Sequence, residues 1–463
     1  MAPSALTTST FPTTSIPYSK TTTRKKSSTG LTTSSTNQAP APHNASHPTF
    51  SNDTTKPWIR RKYAFISQSL ILFNVYGIPL SFGPYLEYYY NTHYQHATLV
   101  QLSAINATRL LCIFGIAWPV EWCYRHGLWR TLSVLAVIGA AGAQIGTIYV
   151  RTWWVVVLIQ GVGLGLCLGV LLAEGTCCLA SHYLNDIPAV SLTAASAGLL
   201  GAVVYTGVAW CFLDGKELWR AEWASMGITG GTLGAAVLLL RRDTAFSKRG
   251  IARRQRQNPA STPGPWPWSW TPSHPSTYPF LLGTLLLTTT LFIHPTYNIL
   301  LSASSPGHIW PSSSLRINLF AYILALLTSS ITSMPRLRQK IGPLDTLIFS
   351  ALLGGAALIL PAWIPSYPVT AATSLVYGFC LGNILPAYVR AAGVFLEGGE
   401  WAGMASLMGV GAAAGIMLVA WVTERGERGF RTGLMVAGMG MVGSGMLMGG
   451  ARVWRCRRVF VVL

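Results

Sequence analysis

"GLCLGVLLAEGTCCLA", Gly165–Ala180, decides how this chain is read. It lies inside a run from Trp153 to Tyr183 that carries a single formal charge, Glu174. A bilayer is crossed by about 20 apolar residues in helical form, so the run is a membrane helix. Its glycines, Gly161, Gly165 and Gly169 among them, let helix backbones approach closely in lipid. A carboxylate there costs roughly 2.5–3.5 kcal/mol on insertion scales. Glu174 therefore faces protein or water, and it is a candidate functional group.

The rest of the chain has the same character. Of 463 residues, 51% are hydrophobic and 10% are charged, against about 25% charged in a soluble domain. Twelve apolar segments cover roughly 63–89, 97–120, 131–150, 153–182, 187–213, 222–240, 278–302, 312–334, 343–363, 367–395, 401–422 and 430–452. The predicted fold is an all-α polytopic membrane protein with twelve transmembrane helices in two six-helix bundles, 58–240 and 278–452. A basic, Pro-rich loop over 241–277 joins them, and a basic tail covers 453–463. The Ser/Thr-rich stretch 1–57 lacks the apolar content to fold and has no signal-peptide core. The first membrane helix is expected to serve as the targeting signal.

Lys and Arg number 33 against 14 Asp and Glu, a net charge of +19. With the N-terminus inside, 25 of the 33 face inward and 7 outward, and Arg109 stays mid-membrane. The positive-inside rule puts both termini and the central loop in the cytosol. The expected location is the plasma membrane. The basic residues are scattered through short loops without interleaved aromatics, which excludes nucleic acid as the partner. Eight cysteines show no zinc or haem spacing and read as small buried hydrophobes. No metal, cofactor or enzymatic constellation is expected. The sequons at Asn44, Asn52 and Asn106 are cytosolic or intramembrane in this topology and are expected to go unused. Trp153, Trp154, Trp219, Trp223, Trp363 and Trp401 mark the interfacial belt.

Five stretches, in order, carry a family resemblance. They are "LFNVYGIPLSFGPYLEYYY" (Leu72–Tyr90), "IQGVGLGLCLGVLLAEGTCCLASHYL" (Ile159–Leu184), "SLTAASAGLLGAVVY" (Ser191–Tyr205), "LVYGFCLGNILPAYV" (Leu375–Val389) and "GGEWAGMASLMGVGAAAGI" (Gly398–Ile416). Together they resemble a divergent fungal monocarboxylate-porter-like branch of the major facilitator superfamily. The resemblance implies two six-helix bundles around a path lined by helices 1, 4, 7 and 10, and movement of a small organic solute through the bilayer. The superfamily's gating loop after helix 2 resembles "YRHGLWR", keeping Arg125, Gly127 and Arg130, with Tyr124 where the aspartate stands. The position of the animal members' substrate lysine is Leu80, and the helix-8 arginine has no counterpart in "ALLTSSITSMPRL" (Ala325–Leu337). A plain lactate-type symporter is therefore not the expectation. The solute is an organic anion of the monocarboxylate kind or a secondary metabolite, with efflux open as a direction and protons as a candidate coupling ion. A non-transporting pseudotransporter or solute sensor is the alternative.

The candidate translocation residues are Arg109, Glu174, His294 and Arg390, the charged or ionisable groups within apolar segments 2, 4, 7 and 10. Asn74, Tyr76, Tyr205, Tyr297, Tyr377 and Asn383 add polar tips on the same or flanking helices. At 1.5 Å per residue, Arg109 and Glu174 lie roughly 16 and 12 Å from the inner ends of their helices, close enough in depth to be expected to pair. His294 precedes Pro295, which breaks the helical ladder, and broken helices near the midplane are common binding features in transporters.

Overall fold

The computed structural model describes residues 57–126, 128–183, 187–213, 215, 217–240, 275–303, 311–334, 342–395, 400–425 and 429–456. The segments expected over 1–57, 241–277 and 453–463 fall largely outside these, as do Asn44, Asn52, Gly127 and the side chain of Arg125.

Every regular element among the described residues is helical, and the helices make twelve segments. α1 runs in pieces, Pro57–Leu80, Phe82–Tyr88 and a π-helical turn Tyr89–His93; α2 comprises Leu99–Gly115 and Ala117–His126. α3 is Trp129–Tyr149, and α4 joins Trp153–Val156, a π-helical stretch Val157–Gly163 and Leu164–His182. α5 is Ile187–Leu213 and α6 Leu218–Leu239; α7 is Thr277–Leu291 and Ile293–Ala303. α8 to α12 are Pro311–Thr332, Pro343–Trp363, Tyr367–Phe395, Glu400–Arg425 and Phe430–Cys456. Ten of the twelve contain a stretch long and apolar enough to cross a membrane. The others are α2, whose apolar piece Leu99–Gly115 is shorter, and α6, which begins four residues before the sequence-based bound. That earlier start draws Glu222 into the helix, where it is 2% exposed.

Chain direction alternates, as short connections between spanning helices require. Tyr183, after α4, donates to the Arg61 carbonyl at the start of α1 (3.1 Å), and Arg452 near the end of α12 pairs with Asp345 at the start of α9. These share the near face, where α1 begins and α12 ends. On the far face, Tyr94 after α1 donates to the Val150 carbonyl after α3 (2.8 Å). Burial pushes the Tyr94 hydroxyl up to about 12, so it remains a donor at any ordinary pH.

The two halves repeat one packing scheme. A Cβ added to Gly201 of α5 would fall 1.9 Å from the Phe73 carbonyl oxygen of α1; one added to Gly415 of α11 would fall 1.7 Å from that of Thr289 of α7. α2 packs on α4 as α8 packs on α10, and α3 on α6 as α9 on α12. The result is two six-helix bundles packed alike. Large apolar side chains on α3, α6, α9 and α12 point outward: Ile138 is 64% exposed, Leu238 82%, Phe349 59% and Met446 66%. Outer walls this apolar need lipid rather than water against them.

Candidate functional site

α1 and α7 are both broken in their far-face halves, and the sequence gives the reason. Pro84 and Pro295 lack the N–H that would bond the carbonyl four residues earlier, so Leu80 and Leu291 lose their helical donors. Each helix turns once there, at Ser81 and Phe292, and resumes. Inside a membrane such carbonyls need another partner. Tyr322 of α8 donates to the Leu80 oxygen (2.6 Å), and Tyr377 of α10 donates to the Leu291 oxygen (2.5 Å). One cap crosses between the halves; the other stays inside the C-terminal half.

The two breaks meet. A Cβ on Gly83 would lie 2.4 Å from the Pro295 carbonyl oxygen, so only glycine permits this approach. Around the contact, polar bonds fasten the halves together on the far face. The Asn106 amide donates to Thr296 (3.2 Å). The Tyr297 hydroxyl, which donates within its own half to the Ile416 carbonyl (2.8 Å), lies 2.7 Å from the Ser103 hydroxyl of the other half. Glu424 of α11 accepts from the Val100 N–H in the first turn of α2 (2.9 Å), where a carboxylate satisfies an unpaired donor and suits the helix dipole. Deeper in, the Tyr76 and Tyr388 hydroxyls meet across the halves at 3.2 Å, and nearer the near face Ser196 meets Ser329 at 2.9 Å.

The C-terminal half holds a neutral polar cluster. Ser374 gives its single hydrogen to the Thr370 carbonyl (2.7 Å). His294 Nε2 (3.2 Å) and Asn298 Nδ2 (3.1 Å) must therefore donate to Ser374. Asn298 also donates to Asn318 (2.6 Å), and the His294 ring stacks on Tyr377 at 4.4 Å. Asn383 donates only within its own helix, to Phe379 (3.1 Å). Arg390 is half-buried in the near-face third of α10.

The N-terminal half holds the charges. Arg109, 2% exposed, donates from Nε to the Gln160 carbonyl (3.1 Å) and from Nη2 to Gln160 Oε1 (3.3 Å). Gln160 Nε2 in turn donates to Glu222 Oε1 (3.0 Å). Arginine only donates and a carboxylate only accepts, so the amide between them has one orientation. Gln160 sits in the π-helical stretch of α4, a kind of irregularity found often at functional sites. Phe82 lies under the guanidinium at 5.2 Å. Asn74 and Tyr205 belong to a second chain of bonds beside this one, with Thr229 and Gln144.

The expected Arg109–Glu174 pair does not form. The carboxylate within electrostatic reach of Arg109 is Glu222. Glu174, fully buried, turns to α3, where it bonds Ser133; its Oε1 has no hydrogen-bond partner. Similar depth did not bring the two together because they sit on different faces of their helices. α4 presents Gly165 to Arg109's backbone and Gly175 to Gln68, which turns Glu174 away from both. Hydropathy does not single out Glu222, because it stands at the first position of the apolar segment 222–240, whereas the helix begins at Leu218. Arg130, expected in the loop after the second helix, lies in the first turn of α3, exposed over the Trp129 ring at 5.1 Å. No trio of His, Cys, Asp or Glu that could hold a metal occurs among the described residues.

Solved transporters share this fold. The chain superposes on the xylose transporter XylE from E. coli, in a partially occluded inward-open conformation, with a TM-score of 0.61 at 12% identity, over 87% of this chain and 100% of that one. For the human organic anion transporter MFSD10 (TETRAN) the TM-score is 0.59 at 14% identity, over 85% and 100%. For the nucleoside transporter NupG it is 0.55 at 14%, over 86% and 98%. No protein-family model and no curated relative matches the sequence. At such identities the likeness establishes the fold, that of the major facilitator transporters.

Proposed function

We propose that this chain is a secondary transporter that carries a small organic solute through the plasma membrane by alternating access, with both termini in the cytosol. The observation that carries the reading is the far-face seam. Two proline-broken helices meet there at Gly83, and polar bonds cross between the halves around that contact. A static scaffold has no need of such a seam; two bundles that rock against each other do. With the termini inside, the seam closes the outer face.

The solute is an organic anion of the monocarboxylate kind or a secondary metabolite, and export is a direction the transporter can serve. The Tyr76–Tyr388 contact lies in its path, and His294 and Arg390 contribute polar and cationic recognition from the C-terminal half. Glu174, buried with no cation beside it among the described residues, is the group that exchanges protons. Support for the solute class comes from the sequence resemblance, and from the organic anion transporter MFSD10 and a POT family transporter crystallised with 5-aminolevulinic acid, both with the same fold. The test is flux into vesicles reconstituted with the purified chain, using labelled monocarboxylates, 5-aminolevulinate, nucleosides and xylose. Saturable uptake of an organic anion is expected. No flux of any solute, at any imposed proton gradient, would leave the sensor alternative standing.

A further inference from the structure

We propose that the cavity inside the N-terminal bundle is a binding site for one buried water molecule, held between Gln144 and Glu222. The cavity measures about 30 Å³ and is lined by both residues and by Arg109, Tyr85, Tyr205 and Ser225. A buried water needs roughly 10–15 Å³ measured this way, with two to four polar partners. One water fits, and a solute of several heavy atoms does not.

The hydrogen-bond directions around the cavity can be deduced one from the next. Asn74 Nδ2 is fixed by donating to the Leu70 carbonyl (2.8 Å). Its Oδ1 therefore accepts from the Tyr205 hydroxyl (2.6 Å). Tyr205 has no second hydrogen, so Thr229, 2.7 Å away, donates to it. Thr229 has then spent its own hydrogen and accepts from Gln144 Nε2 (3.0 Å). Gln144 Oε1 is left as a bare acceptor: it is buried with no partner, on a residue 3% exposed that lines the cavity. From the opposite side, Arg109 fixes Gln160, and Gln160 fixes Glu222 as an acceptor. Gln144 Oε1 is thus an acceptor without a donor, in a space it shares with Glu222, the remaining Arg109 N–H groups and the Tyr85–Ser225 hydroxyl pair.

The missing ligand is a hydrogen-bond donor of water's size. Charge decides against a metal cation. Arg109 and Glu222 already balance, and another buried positive charge would have no counter-charge. A water donates to Gln144 Oε1 and to the Glu222 carboxylate, and it joins the Asn74–Tyr205–Thr229–Gln144 chain to the Arg109–Gln160–Glu222 chain. All six helices of the half then share one polar network. This inference stands apart from the transport reading and holds or fails without it.

The test is radiolytic hydroxyl labelling of the full chain in lipid nanodiscs, read residue by residue by mass spectrometry. Radicals formed from a bound water label its neighbours. Tyr205 and Tyr377 are matched in burial, 2% and 1% exposed, and only Tyr205 borders the cavity. Tyr205 is expected to label several-fold faster than Tyr377, and Gln144→Leu should lower it to the Tyr377 rate. Equal rates in the unaltered protein would mean a dry cavity and overturn the proposal, whether or not the variant folds. Melting in sodium chloride against choline chloride addresses the cation. No difference is expected; a sodium-dependent rise abolished by Glu222→Gln would overturn the water in favour of an ion.

Discussion

Tyr322→Phe removes one hydroxyl and nothing else from the far-face seam, and its effect can be worked from the bond it makes. In the closed arrangement the Leu80 carbonyl is fully buried, has lost its helical donor to Pro84, and is satisfied by Tyr322 at 2.6 Å. Without the hydroxyl a buried acceptor is left unmade, at a cost of about 1–3 kcal/mol. Once the halves part, water reaches the same carbonyl and the cost vanishes. The substitution therefore penalises only the closed state and shifts the closed-to-open ratio about 5- to 150-fold toward open. Spin labels at Tyr90 and Tyr367, exposed on the far face in opposite halves (41% and 47%), would report the separation by pulsed electron paramagnetic resonance on a cysteine-free background. Tyr377→Phe is the matched control. It uncaps the carbonyl freed by Pro295, but within one half, so it should lower the melting temperature without lengthening the distance. A Tyr322→Phe distribution identical to the parent, or a Tyr377→Phe shift of equal size, would refute the reasoning.

Three other outcomes are expected. Gly83→Ala puts a Cβ 2.4 Å from the Pro295 oxygen, an overpacking that costs about 1–3 kcal/mol in the closed state, and should lengthen the Tyr90–Tyr367 distance as Tyr322→Phe does. Arg109→Leu and Glu222→Leu should each destabilise by about 3–5 kcal/mol, since each strands a buried opposite charge. Combined they should cost clearly less than their sum in a denaturation cycle, whereas Arg109→Leu with Glu174→Leu should add to within about 0.5 kcal/mol. Glu174→Gln keeps the shape of the Ser133 contact and should leave melting nearly unchanged while flattening the pH dependence of flux; unchanged rate and pH profile would remove Glu174 from the transport reaction.

The helices were legible because lipid imposes a simple requirement. Each spanning segment must be largely apolar and satisfy its backbone groups internally, so α5, α9 and α10 have the ends that the apolar runs predict. The site was less legible because helix rotation is not written in the hydropathy. Arg109 and Glu174 lie at similar depths, and depth alone suggested a pair. The glycines of α4 decided otherwise by fixing which face meets α2 and which meets α1. Glu222 was lost to a boundary convention: a charge at the edge of an apolar run reads as interfacial until the helix is seen to start four residues earlier. The Tyr322 cap lies between these cases. Pro84 and Pro295 stand in plain view, and each names the carbonyl it frees by counting back four residues. A search for tyrosines on neighbouring helices follows from that count, although only the fold can say that one lies in the same half and the other across the seam. Part of how two halves are joined can thus be read from a sequence by asking where each orphaned carbonyl finds its donor. Whether such a bond links the halves depends on which of those donors belongs to the other half.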